Sequence, residues 1–390
     1  MNIIRDNMKQ YGLIIALIAI ALMFQFLTDG VLLRPANVTN LILQNSYILI
    51  LGIGMTLVIV TGRIDLSVGS LAGLTGALSG VFIINMGIPV IVAIIMVLAI
   101  GALLGAWQGY WIAYKNVPFF VVTLAGMLVF RGLTMILLDA RMLGPFPGNF
   151  QIMSAGFIPD VFGGKDVNLM AIVICVVIAL AFIGSELRNR RNSQKHDVET
   201  LPLHFFVGKL ALVVVAIGLF GYWFSASNGI PNVLVLLFVL IFAYSYMTQK
   251  TIIGRHVYAT GSNDKAAELS GIKTKRIVFW VYVNMGVLAA LAGMVFAARL
   301  NVAMPRAGDG FELQAIAAAF IGGASPYGGV GKITGAIVGA MVVGILNNGM
   351  SILGVGTDMQ MVITGLVLLA AVIFDVFTKS RVTVLAKAES

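Results

Sequence analysis

Ionisable and amide side chains are scarce in this sequence, so each one inside an apolar run is a candidate for chemistry or for packing. Asp65 and Ser67 stand just ahead of a glycine-rich stretch in TGRIDLSVGSLAGLTGALSG, residues 61–80. A carboxylate there can cap a helix N-terminus or touch a neighbouring loop, whereas a proton-coupling acid is expected deeper in the bilayer. Arg131, within LAGMLVFRGLTMILL, must be paired, serve function or snorkel to an interface. Gln44, Thr123, Asn284, Asn347, Asn348 and Gln360 are neutral hydrogen-bonding groups. Such groups can replace the hydration of an uncharged, hydroxyl-rich solute, and they can equally glue helices together.

Enzyme chemistry finds little footing. The three histidines are His196, His204 and His256, two of them in one polar stretch, and no HExxH, CxxC or paired-carboxylate spacing occurs, so no metal is expected. The single cysteine, Cys175, lies in an apolar run and excludes an internal disulfide. The segment ending in Gly331-Lys332 invites a phosphate-loop reading. Pro326 stands where that loop needs its first glycine, and Ile333 where it needs Ser or Thr. Neither a nucleotide site nor a cofactor is expected in this chain.

The elements that position these residues follow from composition. The chain has 390 residues, 59% apolar and 11% charged, with a mean hydropathy of +1.00. That excludes a soluble enzyme, a disordered chain and a coiled coil, and indicates an all-α polytopic membrane bundle. Runs of about 20 apolar residues cross the hydrocarbon core as helices. They are expected over 11–28, 43–60, 66–84, 88–110, 119–138, 168–184, 206–225, 230–247, 277–298, a short broken one near 312–326, 333–350 and 358–377. That makes twelve crossings if the broken one spans, and ten at the lower bound. The first stretch lacks a small-x-small cleavage site and is expected to stay as an anchor.

Charge placement orients the bundle. With both termini inside, the cytoplasmic side holds Arg5, Lys9, Arg63, Lys115, Arg188, Arg190, Arg191, Lys195, Lys209, Lys250, Arg255, Lys265, Lys273, Lys275, Arg276, Lys332, Lys379, Arg381 and Lys387. Outside fall only Arg34, Arg141, Lys165, Arg299 and Arg306. The net charge of +9 is thereby explained by the positive-inside bias rather than by nucleic acid.

Glycine spacing and loops complete the organisation of a single domain, 1–390. Gly69, Gly73, Gly76 and Gly80 recur at three- and four-residue spacing, on one helix face where another helix can approach closely. Gly322-Gly323 and Gly328-Gly329, separated by Ala-Ser-Pro-Tyr, should break a helix, a feature tolerated at membrane depth only under protein or beside a water-filled path. Residues 185–204 are basic and turn-prone and predict a flexible cytoplasmic linker between two halves. Residues 249–276 are better organised: Ser262-Asn263-Asp264 offers a cap, 265–269 holds helix formers and Gly271 can close a short helix. A solvated amphipathic turn is the alternative there. The outside loop 139–167 is expected to cap the path, to dock a partner or simply to lie irregularly at the interface.

GMTLVIVTGRIDLSVGS (54–70), GRHVYATGSNDKAAELSGI (254–272) and ELQAIAAAFIGGASPYGGVGKITGAIVGA (312–340), followed by LNNG, resemble the permease subunits of ribose/xylose/galactose-type ABC sugar importers. The likeness runs through almost the whole chain, and Arg63 departs from the commoner residue before IDLSVGS. The extra spans around 168–225 look most like the xylose branch. The resemblance implies a bacterial inner-membrane permease that translocates a neutral monosaccharide. Its implied partners are a second permease subunit, expected as a homodimer, a cytoplasmic ABC ATPase that binds ATP and Mg, and a periplasmic or lipid-tethered sugar-binding protein. It assigns 254–272 to ATPase contact, with Gly254, Ala259, Gly261, Asn263, Ala267, Glu268 and Gly271 as coupling residues. An ion-coupled secondary sugar transporter is the alternative, and should show coupling carboxylates within spans.

Overall fold

The structure is a computed structural model that describes residues 2–164, 167–196, 202–370 and 373. In chain order its helices are α1 (Asn2–Leu27), α2 (Pro35–Val60), α3 (Val68–Gly80, continued by a π turn over Val81–Asn85), α4 (Val90–Ala113), α5 (Phe119–Leu137) and a single turn α6 (Gly148–Gln151). There follow α7 (Leu169–Lys195), α8 (Leu203–Ser225), α9 (Asn232–Lys250), α10 (Ile252–Ser262), α11 (Asp264–Leu269), α12 (Thr274–Leu300), α13 (Phe311–Ile321) and α14 (Ile333–Ile352). The last is α15 (Thr357–Ala370). Among the described residues, nine helices are long and apolar enough to cross a membrane, and three shorter apolar helices lie at Gly12–Leu27, Phe311–Ile321 and Thr357–Ala370.

The core is built around α2 and α12. Almost every residue of α2 from Val38 to Val60 is buried, and α12 packs against α2, α3 and α4. The α4–α12 seam is backbone on backbone. Gly101, Gly105 and Gly109 recur every fourth residue, and a Cβ at each would press on a backbone oxygen of Gly286, Tyr282 or Phe279. Gly286 meets the Gly101 carbonyl in return. Dispersion and packing act at short range, so removing Cβ where helices meet is the main route to tight association in an apolar solvent.

Two expected boundaries are corrected. The helix expected over 43–60 begins at Pro35, because Asn37 and Thr39 find partners: Asn37 exchanges side-chain hydrogen bonds with Asn348 (2.8 and 3.3 Å) and Thr39 pairs with Ser227 (2.8 Å). The flexible linker expected over 185–204 is helical as far as Lys195. Its Glu and Arg residues favour helix, Lys209 of α8 donates to Glu186 at 2.8 Å, and Arg190 lies over the Phe206 ring at 4.5 Å. Residues 197–201 of that segment, Lys165, and the C-terminal Lys379, Arg381 and Lys387 lie outside the described residues.

Gly105→Val should therefore destabilise the purified protein by about 1–3 kcal/mol through overpacking. Gly218→Ala, which has open space around the new methyl, should be neutral or stabilising by up to about 1 kcal/mol. Thermal unfolding of both variants in one detergent checks the contrast.

Candidate functional site

Two interrupted segments meet inside the bundle. Residues 61–67 run from the end of α2 into α3 without helical structure, and 301–310 run from the end of α12 into α13. Gly69 and Gly73, near the start of α3, lie against the carbonyl oxygens of Gly308 and Ala307. Higher on the same face Gly76 meets Gly293, and Gly80 meets Leu143 and Ala303. The N-terminal turn of α13 is thus brought beside the N-terminal turn of α3, the electropositive end of each helix.

Polar side chains gather at this junction. Asp65 is buried, and its Oδ1 accepts from the Ser67 amide (2.8 Å) and hydroxyl (2.7 Å). The Ser67 hydroxyl in turn accepts from Gln108 Nε2 of α4 at 2.7 Å. The Tyr282 hydroxyl donates to the Ile64 carbonyl at 3.3 Å, holding the connector against α12. Gln108 Oε1 and Glu312 Oε2 are buried without a hydrogen-bond partner among the described residues. Arg131 of α5 reaches across to Asp309 in the 301–310 segment. Tyr47 of α2 donates to Gln314 Oε1 at 2.8 Å and stacks on Phe311, with ring centroids 4.0 Å apart.

The other candidate residues lie elsewhere. Thr123 returns its hydroxyl to the Phe119 carbonyl within α5. Asn284 accepts from the Tyr244 hydroxyl, joining α12 to α9. Asn347 accepts from Thr364 at 3.3 Å, Asn348 pairs with Asn37, and Gln360 donates to Ser351 and the Val355 carbonyl. These amides join helices or close turns. The Gln44 side chain is half-buried and makes no hydrogen bond among the described residues. Sequence reasoning passed over Gln108, Asp309 and Glu312. A lone glutamine flanked by Gly105 and Gly109 was the available signal for the first, and acids next to Gly308 and Gly310 for the others.

At one end of the bundle α10 and α11 form a bent arm. Thr251 Oγ1 caps α10 by accepting from Gly254 N at 3.2 Å, and Asn263 Oδ1 caps α11 by accepting from Ala266 N at 3.0 Å. Gly271, at φ +84°, ends α11: its amide bonds the Glu268 carbonyl and the Ile272 amide bonds that of Ala267. Ala267 is buried against the bundle, whereas Glu268 and Leu269 face outward. Gly254 packs on the Met247 and Thr248 carbonyls, and Ala259 is half-buried. Gly261 is wedged against the Val60 carbonyl and the Gly329 amide, which itself donates to Val60 O at 2.8 Å. The Tyr258 hydroxyl donates to Gly331 O. The arm is thereby joined to α2 and to residues 325–331, the break that separates α13 from α14. Beside that break, Gly322 fits against Gly335, and Gly323 takes φ +87°.

The family described as the permease component of branched-chain amino acid transport systems matches residues 37–372. The chain belongs to that permease family. It is 38% identical over 375 residues to the xylose transport system permease protein XylH of Haemophilus influenzae, covering 96% of this chain and 98% of that one. XylH of Escherichia coli is also 38% identical, covering 96% and 93%. The Escherichia coli ribose import permease protein RbsC is 34% identical, covering 94% of each chain. No solved structure matches. As a family member the chain is a transport subunit, and the features above are to be read as parts of a translocation device rather than of an enzyme.

The described residues between α5 and α7, 138–164 and 167–168, are tied down at several points. Leu143 bridges Ala303, Phe157 bridges Pro231, and the Phe146 amide donates to Asn301 Oδ1 at 2.7 Å. Asp160 collects the amides of Phe162, Gly164, Leu169 and Met170. Desolvation pushes its carboxyl upward, but those four donors outweigh it and hold the group below the usual carboxylate range. A depressed acid stabilises above its unfolded value and loses that contribution as pH falls through the folded value. Protection of the Phe162 and Leu169 amides from hydrogen exchange, taken relative to the intrinsic rate at each pH, should therefore be high at neutral pH and fall in acid. Asp160→Ala should show low protection at both.

Proposed function

We propose that the chain is the membrane-spanning subunit of an ATP-driven importer that moves a neutral monosaccharide across the bacterial cytoplasmic membrane. The observation that carries this is full-length similarity to permeases of two different pentoses. Xylose or a related sugar is the substrate, delivered by a separate binding protein. ATP and Mg are bound by a partner ATPase, and a second permease subunit, a copy of this one, completes the path.

The chain crosses the membrane twelve times with both termini inside. The nine long helices supply nine crossings. Gly12–Leu27 and Thr357–Ala370 supply two more, and 301–310 together with α13 makes the twelfth. This order sets the α10–α11 arm and the 325–331 break on the cytoplasmic side, in keeping with the positive-inside bias. The arm receives the ATPase through the outward face of α11 around Glu268. Gly254, Ala259, Gly261, Asn263, Ala267 and Gly271 shape and seat it.

Carbohydrate passage is supported by neutral hydrogen-bonding groups at the junction, which can exchange for sugar hydration. A second reading, ion-coupled transport, is favoured by the buried carboxylates of Asp65 and Glu312. Proteoliposomes holding permease, ATPase and binding protein separate the two. Uptake should require all three proteins and ATP on the ATPase side, and should survive collapse of proton and sodium gradients. Uptake by the permease alone, abolished by a protonophore, would establish the second reading.

Glu268→Lys should reduce co-purification of the ATPase without affecting insertion of the permease. Unchanged co-purification and sugar-stimulated hydrolysis would remove α11 from the docking role. In a Cys175→Ser background, Ser193→Cys should resist an impermeant thiol reagent in intact cells and react in inverted vesicles.

A further inference from the structure

The Arg131–Asp309 pair stands where charge is hardest to place. Arg131 lies about 18 Å along α5 from Phe119, at 1.5 Å per residue, near the middle of a hydrocarbon core about 30 Å thick. Its side chain is 36% exposed and that of Asp309 is 59% exposed. The α5 neighbours Leu128 and Met135 are exposed and apolar. Arg131 is instead paired with Asp309 of the 301–310 segment. Asp309 follows Gly308, whose backbone touches that of Gly69. Behind the pair Glu312 is 7% exposed, with Oε2 unpartnered and Arg131 and Asp309 as its charged neighbours. An ion pair this open is stable against water and costly against lipid tails.

We infer that the Arg131–Asp309 pair stands in the wall of the water-filled solute path at mid-depth, where its guanidinium and carboxylate hydrogen-bond the hydroxyls of the passing sugar. The proposal rests on the importer reading for the identity of the solute. Arg donates through a rigid fork and a carboxylate accepts, so the pair can engage neighbouring hydroxyls of a neutral polyol without adding net charge.

Two measurements test it in the assembled complex, in a Cys175→Ser background. Leu128→Cys and Met135→Cys, about one turn to either side of Arg131, should react with a charged methanethiosulfonate about a hundredfold faster than Leu103→Cys on exposed α4, since charged reagents are depleted from hydrocarbon. Rates equal to that of Leu103→Cys would place the pair against lipid and overturn the proposal. Asp309→Asn should then change the ratio of import rates between xylose and ribose, which differ at one hydroxyl, with ATPase binding unaltered. Equal loss for both sugars would reduce the pair to a structural clamp and overturn the hydroxyl contact. Labelling needs no transport, so a parent complex that imports no sugar would fell the importer reading while the position of the pair is still decided.

Discussion

Backbone touches backbone at the tightest contacts of this bundle, between helices and against its interrupted segments. Gly69 and Gly73 admit residues 307–308, Gly101 and Gly105 admit α12, Gly322 admits Gly335, and Gly261 admits the end of α2. In lipid the apolar effect that drives soluble folding is largely absent between helices, so close van der Waals approach has to supply cohesion. A chain break at membrane depth is tolerated only where protein or a water path covers it. The glycine contacts meet both demands together, because they bring covering backbone within reach of the interrupted one.

From that constraint follows the layout of the junction. Non-helical chain leads into α3 and into α13, and each helix brings its electropositive N-terminal end to the meeting point. Asp65 and Glu312 lie at those ends, the former bonded to Ser67 and the latter with an unpaired oxygen. Polar groups therefore concentrate beside the breaks instead of being spread along continuous helices. A substrate path that must open alternately to each side is well served by segments whose backbone is not locked into a helix over its whole length. The arm formed by α10 and α11 touches the same system at Val60 and Gly329, so a push on α11 has a short route to the break between α13 and α14.

Hydropathy made the helices legible from sequence, since each apolar run had to become one. The Gly69–Gly80 face was also legible, because small residues at helical spacing have little other use in lipid. The start of α2 was not: Asn37 and Thr39 look like loop residues until Asn348 and Ser227 arrive from far along the chain. Arg131 was visible as a charge needing a partner, but Asp309 lies 178 residues away and only the fold joins them. Residues 252–262 carry Gly254 and Gly261, which read as loop, yet form α10; those glycines are required by the carbonyls they press against rather than by a turn.

In the proposed importer the arm, the end of α2 and the break between α13 and α14 shift together, and the variant Gly261→Ala is the sharpest probe of that proposal. The added methyl cannot coexist with the Val60 carbonyl in its present place, while the outward face of α11 is left intact. The ratio of sugar imported to ATP hydrolysed should be measured in proteoliposomes with the ATPase still bound. Hydrolysis should continue while the ratio falls. An unchanged ratio, with ATPase binding and permease stability also unchanged, would contradict it.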